Sequence, residues 1–281
     1  MHPPVFRFAP SPNGFLHLGH AYSALLNQKM AKETGGRLLL RIEDIDQTRA
    51  RPEFEAAIFE DLEWLGVEWE TPVRRQSDHF GDYAAGLQSL IKSGLVYPSF
   101  LTRAEAARLS PVSSADPLGV PLHPLSERYL DAATIEAKKA SAVPFAWRLN
   151  MEMALAAADM NLSWEETGSG LPVTVKADPA AWGDVIIARK DTPTSYHLSV
   201  TIDDALQGIT HVVRGMDLYH ATSVHRLLQS LLGLPQPVWH HHRLITGADG
   251  GKLAKSAGSP SLRSLRREGL TSTEIRRNLG F

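Results

Sequence analysis

The sequence predicts an α/β protein: a parallel sheet with helical crossovers, interrupted by an inserted α+β subdomain and followed by a short C-terminal segment. Three observations carry that expectation. Short apolar runs alternate with stretches of helical periodicity along the first part of the chain, at the spacing of strand–helix–strand units with right-handed crossovers. The alternation returns after residue 183. Between the two, Ser110 to Ser126 (SPVSSADPLGVPLHPLS) holds four prolines and several serines, the composition of an irregular surface loop.

Val5 to Ala9 is short and apolar, and Pro10-Ser11-Pro12-Asn13-Gly14 ends it, because two prolines cannot donate to a ladder. From about His17 the positions Leu18, Ala21, Leu25, Leu26 and Met30 follow helical spacing, with Gly35-Gly36 as the stop. RLLLRI, from Arg37 to Ile42, reads as a buried strand. Pro52 starts a second helix whose Phe54, Ile58 and Leu62 share a face, and Gly66 ends it. Ser77 is placed as the cap of a third helix, through Phe80, Leu87 and Ile91 to Gly94. The insert is expected from about Tyr97 to Trp182. After it, DVIIAR (Asp184 to Arg189), THVVR (Thr210 to Arg214) and an apolar helix from Leu218 to Leu232 restore the α/β pattern. VWHHHRLI reads as a strand, in which the adjacent side chains of His240, His241 and His242 alternate faces and cannot all chelate one ion. Sheets of this kind bind ligands at the carboxyl ends of their strands.

Composition narrows the classes. A chain of 281 residues with 43% apolar and 21% charged residues is ordinary for a globular protein. Lys+Arg 29 against Asp+Glu 31 gives a net charge of -2, so a nucleic-acid partner would have to be met by a local patch. Such a patch exists from Gln236 to Phe281, where eight Lys/Arg face three acids. An amphipathic helix from Ser261 to Arg267, packed on the core with its arginines outward, explains the same residues nearly as well, and both readings can hold at once. The absence of cysteine excludes disulfides, thiolate nucleophiles and cysteine zinc sites. No apolar run approaches a membrane span of roughly 20 residues, and the N-terminus lacks a signal-peptide pattern, so a cytoplasmic protein without a membrane partner is expected.

The chemistry is concentrated in two short motifs. In HLGH, His17 and His20 stand three apart at a helix N-terminus and project to the same side. That end carries free N–H groups and a positive dipole, which suit phosphate, and Gly19 leaves room for a nucleotide to approach the backbone. Two surface histidines on an amphipathic helix give the same spacing. Near the other end, in ITGADGGKLAKS, the turn Asp249-Gly250-Gly251 presents Lys252 and Lys255 on a loop, where an ammonium can reach a polyphosphate; a plain solvated loop has the same composition.

Together, HLGH and KLAKS resemble the HIGH and KMSKS signatures of class I aminoacyl-tRNA synthetases. RFAPSPNGFLHLGHA, RIEDID (Arg41 to Asp46) and VVRGMDL (Val212 to Leu218) resemble the corresponding blocks of glutamyl-tRNA synthetases. The chain stops 25 residues after Ser256, where those enzymes continue into a helical anticodon-binding region, and in this it is similar to the glutamyl-Q tRNA(Asp) synthetase family of stand-alone catalytic cores.

The resemblance implies a Rossmann-type catalytic core in two halves, 1–96 and 183–235, an acceptor-binding-like insert at 97–182, and a lysine loop with an RNA-contacting segment at 236–281, without an anticodon-binding domain. It implies activation of L-glutamate by ATP to glutamyl-adenylate and transfer to queuosine in tRNA(Asp); charging the 3′ end of tRNA(Glu) is the alternative. Arg7, Tyr196 and Arg214 would hold the substrate side chain, Ala9 and Ser11 would line the pocket, and Glu43 would take the α-ammonium. His17, Gly19, His20, Lys252 and Lys255 would bind ATP, with His17, His20 and Lys255 acting on the phosphates and Mg²⁺ arriving with the nucleotide. Taken without the resemblance, Arg7 and Arg41 could equally be strand-edge surface charges, and Glu43, Asp44 and Asp46 a solvated acidic turn or a cation site. One departure stands out. Many relatives bind zinc in the insert through cysteines, but YPSFLTR places Ser99 and Leu101 there, so zinc is not expected, and His123 in the Pro-rich loop reads as a surface residue.

Overall fold

A computed structural model describes residues 3–111, 114–245 and 260–281. The first half runs β1 (Val5–Phe8), α1 (Leu18–Glu33), β2 (Arg37–Ile42), α2 (Pro52–Trp64), β3 (Glu70–Arg75) and α3 (Phe80–Lys92). The middle holds β4 (Val96–Ser99), α4 (Arg103–Leu109), α5 (Ala132–Ala140), β5 (Ala146–Leu149), α6 (Met151–Ala157), β6 (Ser163–Glu166) and β7 (Val173–Lys176). The last part adds β8 (Ile186–Ala188), α7 (Tyr196–Leu206), β9 (His211–Gly215), α8 (Thr222–Leu232), β10 (Val238–His242), α9 (Leu262–Arg267) and α10 (Ser272–Leu279).

Seven strands form one sheet in the order β3-β2-β1-β9-β10-β6-β7, and β4-β5-β8 form a small antiparallel sheet. All neighbours in the large sheet are parallel except β6 and β7. The order reverses between β1 and β9, the switch point at which open α/β sheets leave a crevice beyond their carboxyl ends. Alternate residues of the central strands serve two cores. Phe6 and Val213 join Leu25, Ile58, Leu62, Leu262 and Ile275 on one face, while Val5 and Val212 join Tyr83, Leu198, Val224 and Trp239 on the other. With both faces covered, β1 and β2 do not alternate apolar with polar residues, and are apolar apart from Arg7, Arg37 and Arg41. The stop after α1 is stringent: Gly35 sits at φ +62°, and a Cβ on Gly36 would stand 2.6 Å from the Pro4 carbonyl oxygen.

Several boundaries differ from expectation. Ser77 does not cap α3; its N–H and hydroxyl both donate to Asp44, at 2.8 and 2.6 Å, and a short 3-10 turn precedes the helix. β3 went unforeseen because its ETPVRR sequence is polar and sits at the sheet edge. The helix expected from Leu218 begins at Thr222, after a separate 3-10 turn. Ile186–Ala188 pairs with β5 in the small sheet instead of restoring the large one, whereas β6 and β7, from within the segment expected as an insert, extend the large sheet at β10.

The Pro-rich loop is folded on itself, and His123 within it is buried, not a surface residue. Its Nε2 lies 3.2 Å from the Ser99 hydroxyl, which donates to Glu127 at 2.6 Å. Glu127 also accepts from the backbone N–H of Phe100 and Leu101. This turn does not fit zinc: it holds no thiolate, and its carboxylate is saturated by donors.

Candidate active site

A cleft of about 460 Å³ opens at the switch point, lined by the carboxyl ends of β1 and β9 and by the first turns of α1 and α7. Arg7, Ala9, Ser11, His17, Gly19, His20, Glu43, Tyr196 and Arg214 all line it. Lys252 and Lys255 lie outside the described residues. The residues on either side of their segment both reach the cleft region: Ile245 lines the cleft, and Ser261 forms an isolated antiparallel bridge with His17. Asn13, Ser23, Asp217 and His242 also line it. Asn13 and Asp217 lie within the RFAPSPNGFLHLGHA and VVRGMDL blocks and His242 in the histidine triplet, but no residue-type argument assigns them to the site, and Ser23 follows HLGHA with no pattern of its own.

The two histidines of HLGH cap α1 reciprocally. His17 Nδ1 accepts from the Gly19 N–H at 3.1 Å, and His20 Nδ1 accepts from the His17 N–H at 3.2 Å. Two of the backbone donors expected to be free for phosphate are therefore already used. Because a backbone N–H can only donate, each neutral imidazole must carry its proton on Nε2. The histidines, rather than the bare helix end, become the donors.

The floor of the cleft is a buried ionic lattice. Arg7 and Arg41 are 5% and 0% exposed, not strand-edge surface charges. Arg7 pairs with Asp204 at 3.1 Å, and Arg41 meets Asp204 at 2.8 Å, Glu43 at 3.0 Å and Asp203 at 3.7 Å. Burial alone would lower the Arg41 guanidinium, but Asp204, Glu43 and Asp203 together push it up. Burial raises Glu43 from its ordinary value despite Arg41 and Arg7. Asp44 holds Ser77, and Asp46 accepts from Thr48, Arg49 and Arg189, so the acidic turn is knit into the fold rather than solvated.

Arg214 is placed differently. It is 5% exposed, and no carboxylate stands within ion-pair distance among the described residues. Its Nε donates to His241 Nε2 at 3.1 Å, one terminal nitrogen reaches His225 Nδ1 at 3.2 Å and the Tyr196 hydroxyl at 3.4 Å, and the other reaches Thr222 Oγ1 at 2.7 Å and the Leu218 carbonyl at 3.1 Å. Every partner is neutral. Burial lowers the Arg214 guanidinium from its ordinary value, and burial also raises the Tyr196 hydroxyl. The result is an oriented cation with no carboxylate at ion-pair distance among the described residues, Asp204 acting on it only from further off, and such a site attracts an anion.

The sequence matches the family described as tRNA synthetases class I (E and Q), catalytic domain, over residues 5–279. The chain belongs to that family. As a class I synthetase catalytic domain it uses ATP. It is 45% identical to the glutamyl-Q tRNA(Asp) synthetase of Rhodobacter capsulatus, over 99% of this chain and 100% of the relative. It is 36% identical to the glutamate-tRNA ligase of Aquifex aeolicus over 94% of this chain and 54% of that protein. Among solved structures, a glutamate tRNA ligase from Elizabethkingia meningosepticum in complex with its amino acid superimposes with a TM-score of 0.74 at 27% identity, over 96% of this chain and 54% of that one. The chain thus spans the whole of the first relative and about half of the two ligases. No helix among the described residues is long and apolar enough to cross a membrane.

Proposed function

We propose that this class I synthetase activates L-glutamate with ATP and transfers it to queuosine in tRNA(Asp). The observation that carries the glutamate assignment is Arg214, a buried cation in the cleft whose partners are all neutral. The full-length match to the R. capsulatus enzyme supports the acceptor.

In the first step an oxygen of the glutamate α-carboxylate forms a bond to the α-phosphorus of ATP, and the bond to pyrophosphate breaks. Arg214 grips the side-chain carboxylate, Tyr196 and Arg7 flank it, Ala9 and Ser11 line the pocket, and Glu43 takes the α-ammonium. The Nε2–H groups of His17 and His20 donate to phosphate oxygens while Gly19 admits the nucleotide. Lys252 helps bind ATP and Lys255 neutralises charge on the departing pyrophosphate, with Mg²⁺ accompanying ATP. Chemistry of this kind rests on positioning and charge stabilisation and acylates no residue. In the second step a queuosine hydroxyl attacks the carbonyl of the mixed anhydride and AMP leaves. We assign 1–96 and 183–235 to the catalytic body, whose sheet also takes in β6, β7 and β10, the rest of 97–182 to an RNA-facing insert, and the rest of 236–281 to the lysine loop and a backbone contact. Several arginines of that last segment serve the fold as well: Arg263 lies over Phe15, Arg266 over Trp64, and Arg276 donates to the Leu65 carbonyl.

Two measurements test the reading. ATP–pyrophosphate exchange should depend on glutamate and not on glutamine, since an amide would leave the Arg214 charge unmatched. Labelled glutamate should then pass to queuosine-containing tRNA(Asp) and not to the same tRNA without queuosine. Transfer to the 3′ end of tRNA(Glu) alone would instead assign a glutamate-tRNA ligase activity.

A further inference from the structure

Arg214 is held by two histidines, and neither can hold it in any other protonation state. A guanidinium only donates, so His241 Nε2 and His225 Nδ1 must both be bare lone pairs. For His225 the proton then sits on Nε2, which faces His197 Nδ1 at 3.2 Å. For His241 it sits on Nδ1, which faces Glu166 Oε2 at 2.5 Å. Glu166, on β6, is 5% exposed and meets only donors: the backbone N–H groups of His241 and Gly168, each at 2.9 Å, the His241 ring and the Trp164 indole at 3.3 Å. Burial pushes Glu166 up, but these donors outweigh it and hold the carboxyl at about 2. Around the His241 ring stand Glu166, Arg214, Thr222 and the ring of Tyr219, with His240 and His242 as strand neighbours.

We propose that Glu166 is a positioning residue of the substrate pocket: it fixes His241 as the Nδ1-protonated tautomer, so that His241 and His225 orient Arg214 without neutralising it. The contrast lies within the same cleft. Arg7 is oriented by the carboxylate of Asp204 and its charge is compensated on contact. At Arg214 the carboxylate is set one imidazole further away, so the geometry is fixed while the positive charge remains for a ligand. The inference deepens the glutamate reading and rests on it for the identity of the ligand.

Glu166→Gln is close to isosteric and sharply diagnostic. With its amide oxygen on the two backbone N–H groups, its NH₂ faces His241 Nδ1 and favours the opposite tautomer, whose Nε2–H would oppose the Arg214 Nε–H. In wild-type protein, ¹⁵N–¹H spectra of the imidazoles should show His241 protonated on Nδ1; protonation on Nε2 would overturn the proposal without recourse to any variant. In Glu166→Gln the tautomer should change and the glutamate KM should rise about tenfold or more, the worth of one hydrogen bond to a charged group, while the ATP KM and kcat stay near wild type. In a His241→Gln background, an amide oxygen accepts from Arg214 whatever stands at 166. There the same change should cost less than about twofold, because the coupling has been cut. A wild type that activates no glutamate would overturn the proposed function, and with it the ligand. A glutamate-active wild type whose Glu166→Gln variant keeps its glutamate KM would overturn the positioning role alone.

Discussion

Arg7 and Arg214 are equivalent in the sequence, two arginines in strand-end blocks, and the fold separates them. The difference is the counter-ion: Asp204 on α7 reaches Arg7, and only hydroxyls, imidazoles and a carbonyl reach Arg214. No local pattern announces this, because Asp204 is 197 residues from Arg7 and His241 is 27 from Arg214. Arg214→Ala should therefore raise the glutamate KM by the equivalent of about 2–4 kcal/mol, the usual cost of truncating one partner of a buried charge-assisted contact, with the ATP KM little changed. Exchange kinetics at varied glutamate and at varied ATP check it, and a parallel rise in both constants would count against the assignment. His123 teaches the same lesson: a histidine among prolines reads as surface, yet Glu127 and Ser99 fold that loop over it.

α2 shows what an element costs when pattern and chemistry disagree. Its buried face is Ala57, Ile58, Asp61 and Leu62, and one Asp61 carboxylate oxygen is buried without a hydrogen-bond partner among the described residues. Burial raises Asp61 to about 6, only partly offset by Arg266 and Arg263 nearby. The unfolded chain ionises near 3.9 and the folded one near 6, so stability falls as pH rises across that window and stays lower above it. Asp61→Asn should gain roughly 1–2 kcal/mol at pH 7 and nothing near pH 3.5, read from urea midpoints at the two values. The main helices and the apolar strands were legible because each presents a period that burial requires, as Leu18 to Met30 and RLLLRI do. Polar β3 and the joining of β6 to β10 were not, since pairing depends on what lies across the sheet and not on the strand's own residues.

The molecule as a whole carries an unusual load of buried imidazole. Burial lowers His123, His197 and His241 to about 4 and His225 well below its ordinary value. Each is neutral in the folded chain while its unfolded counterpart protonates near 6.5, so the stability present above that pH is lost as pH falls toward the folded values. Urea midpoints should drop between about pH 6.5 and 4, the several histidines outweighing the opposite contribution of Asp61 in that window; a flat profile in Asp61→Asn protein would contradict the buried neutral assignment. The ionic lattice carries a different consequence, one of timing. Asp203 and Asp204 neutralise Arg74, Arg41 and Arg7 across 129, 163 and 197 residues. A ribosome delivers the three cations first, and until α7 emerges they have no carboxylates on that helix to sit against. Arg41 and Arg74 also pair with Glu43 and Asp82 from the first half, whereas Asp204 is the one ion-pair partner of Arg7 among the described residues. Burying an unpaired charge costs several kcal/mol per ion, so the nascent first half must keep Arg7 open to water. The cleft closes only when the chain that supplies Tyr196 arrives with the two aspartates, on the same helix.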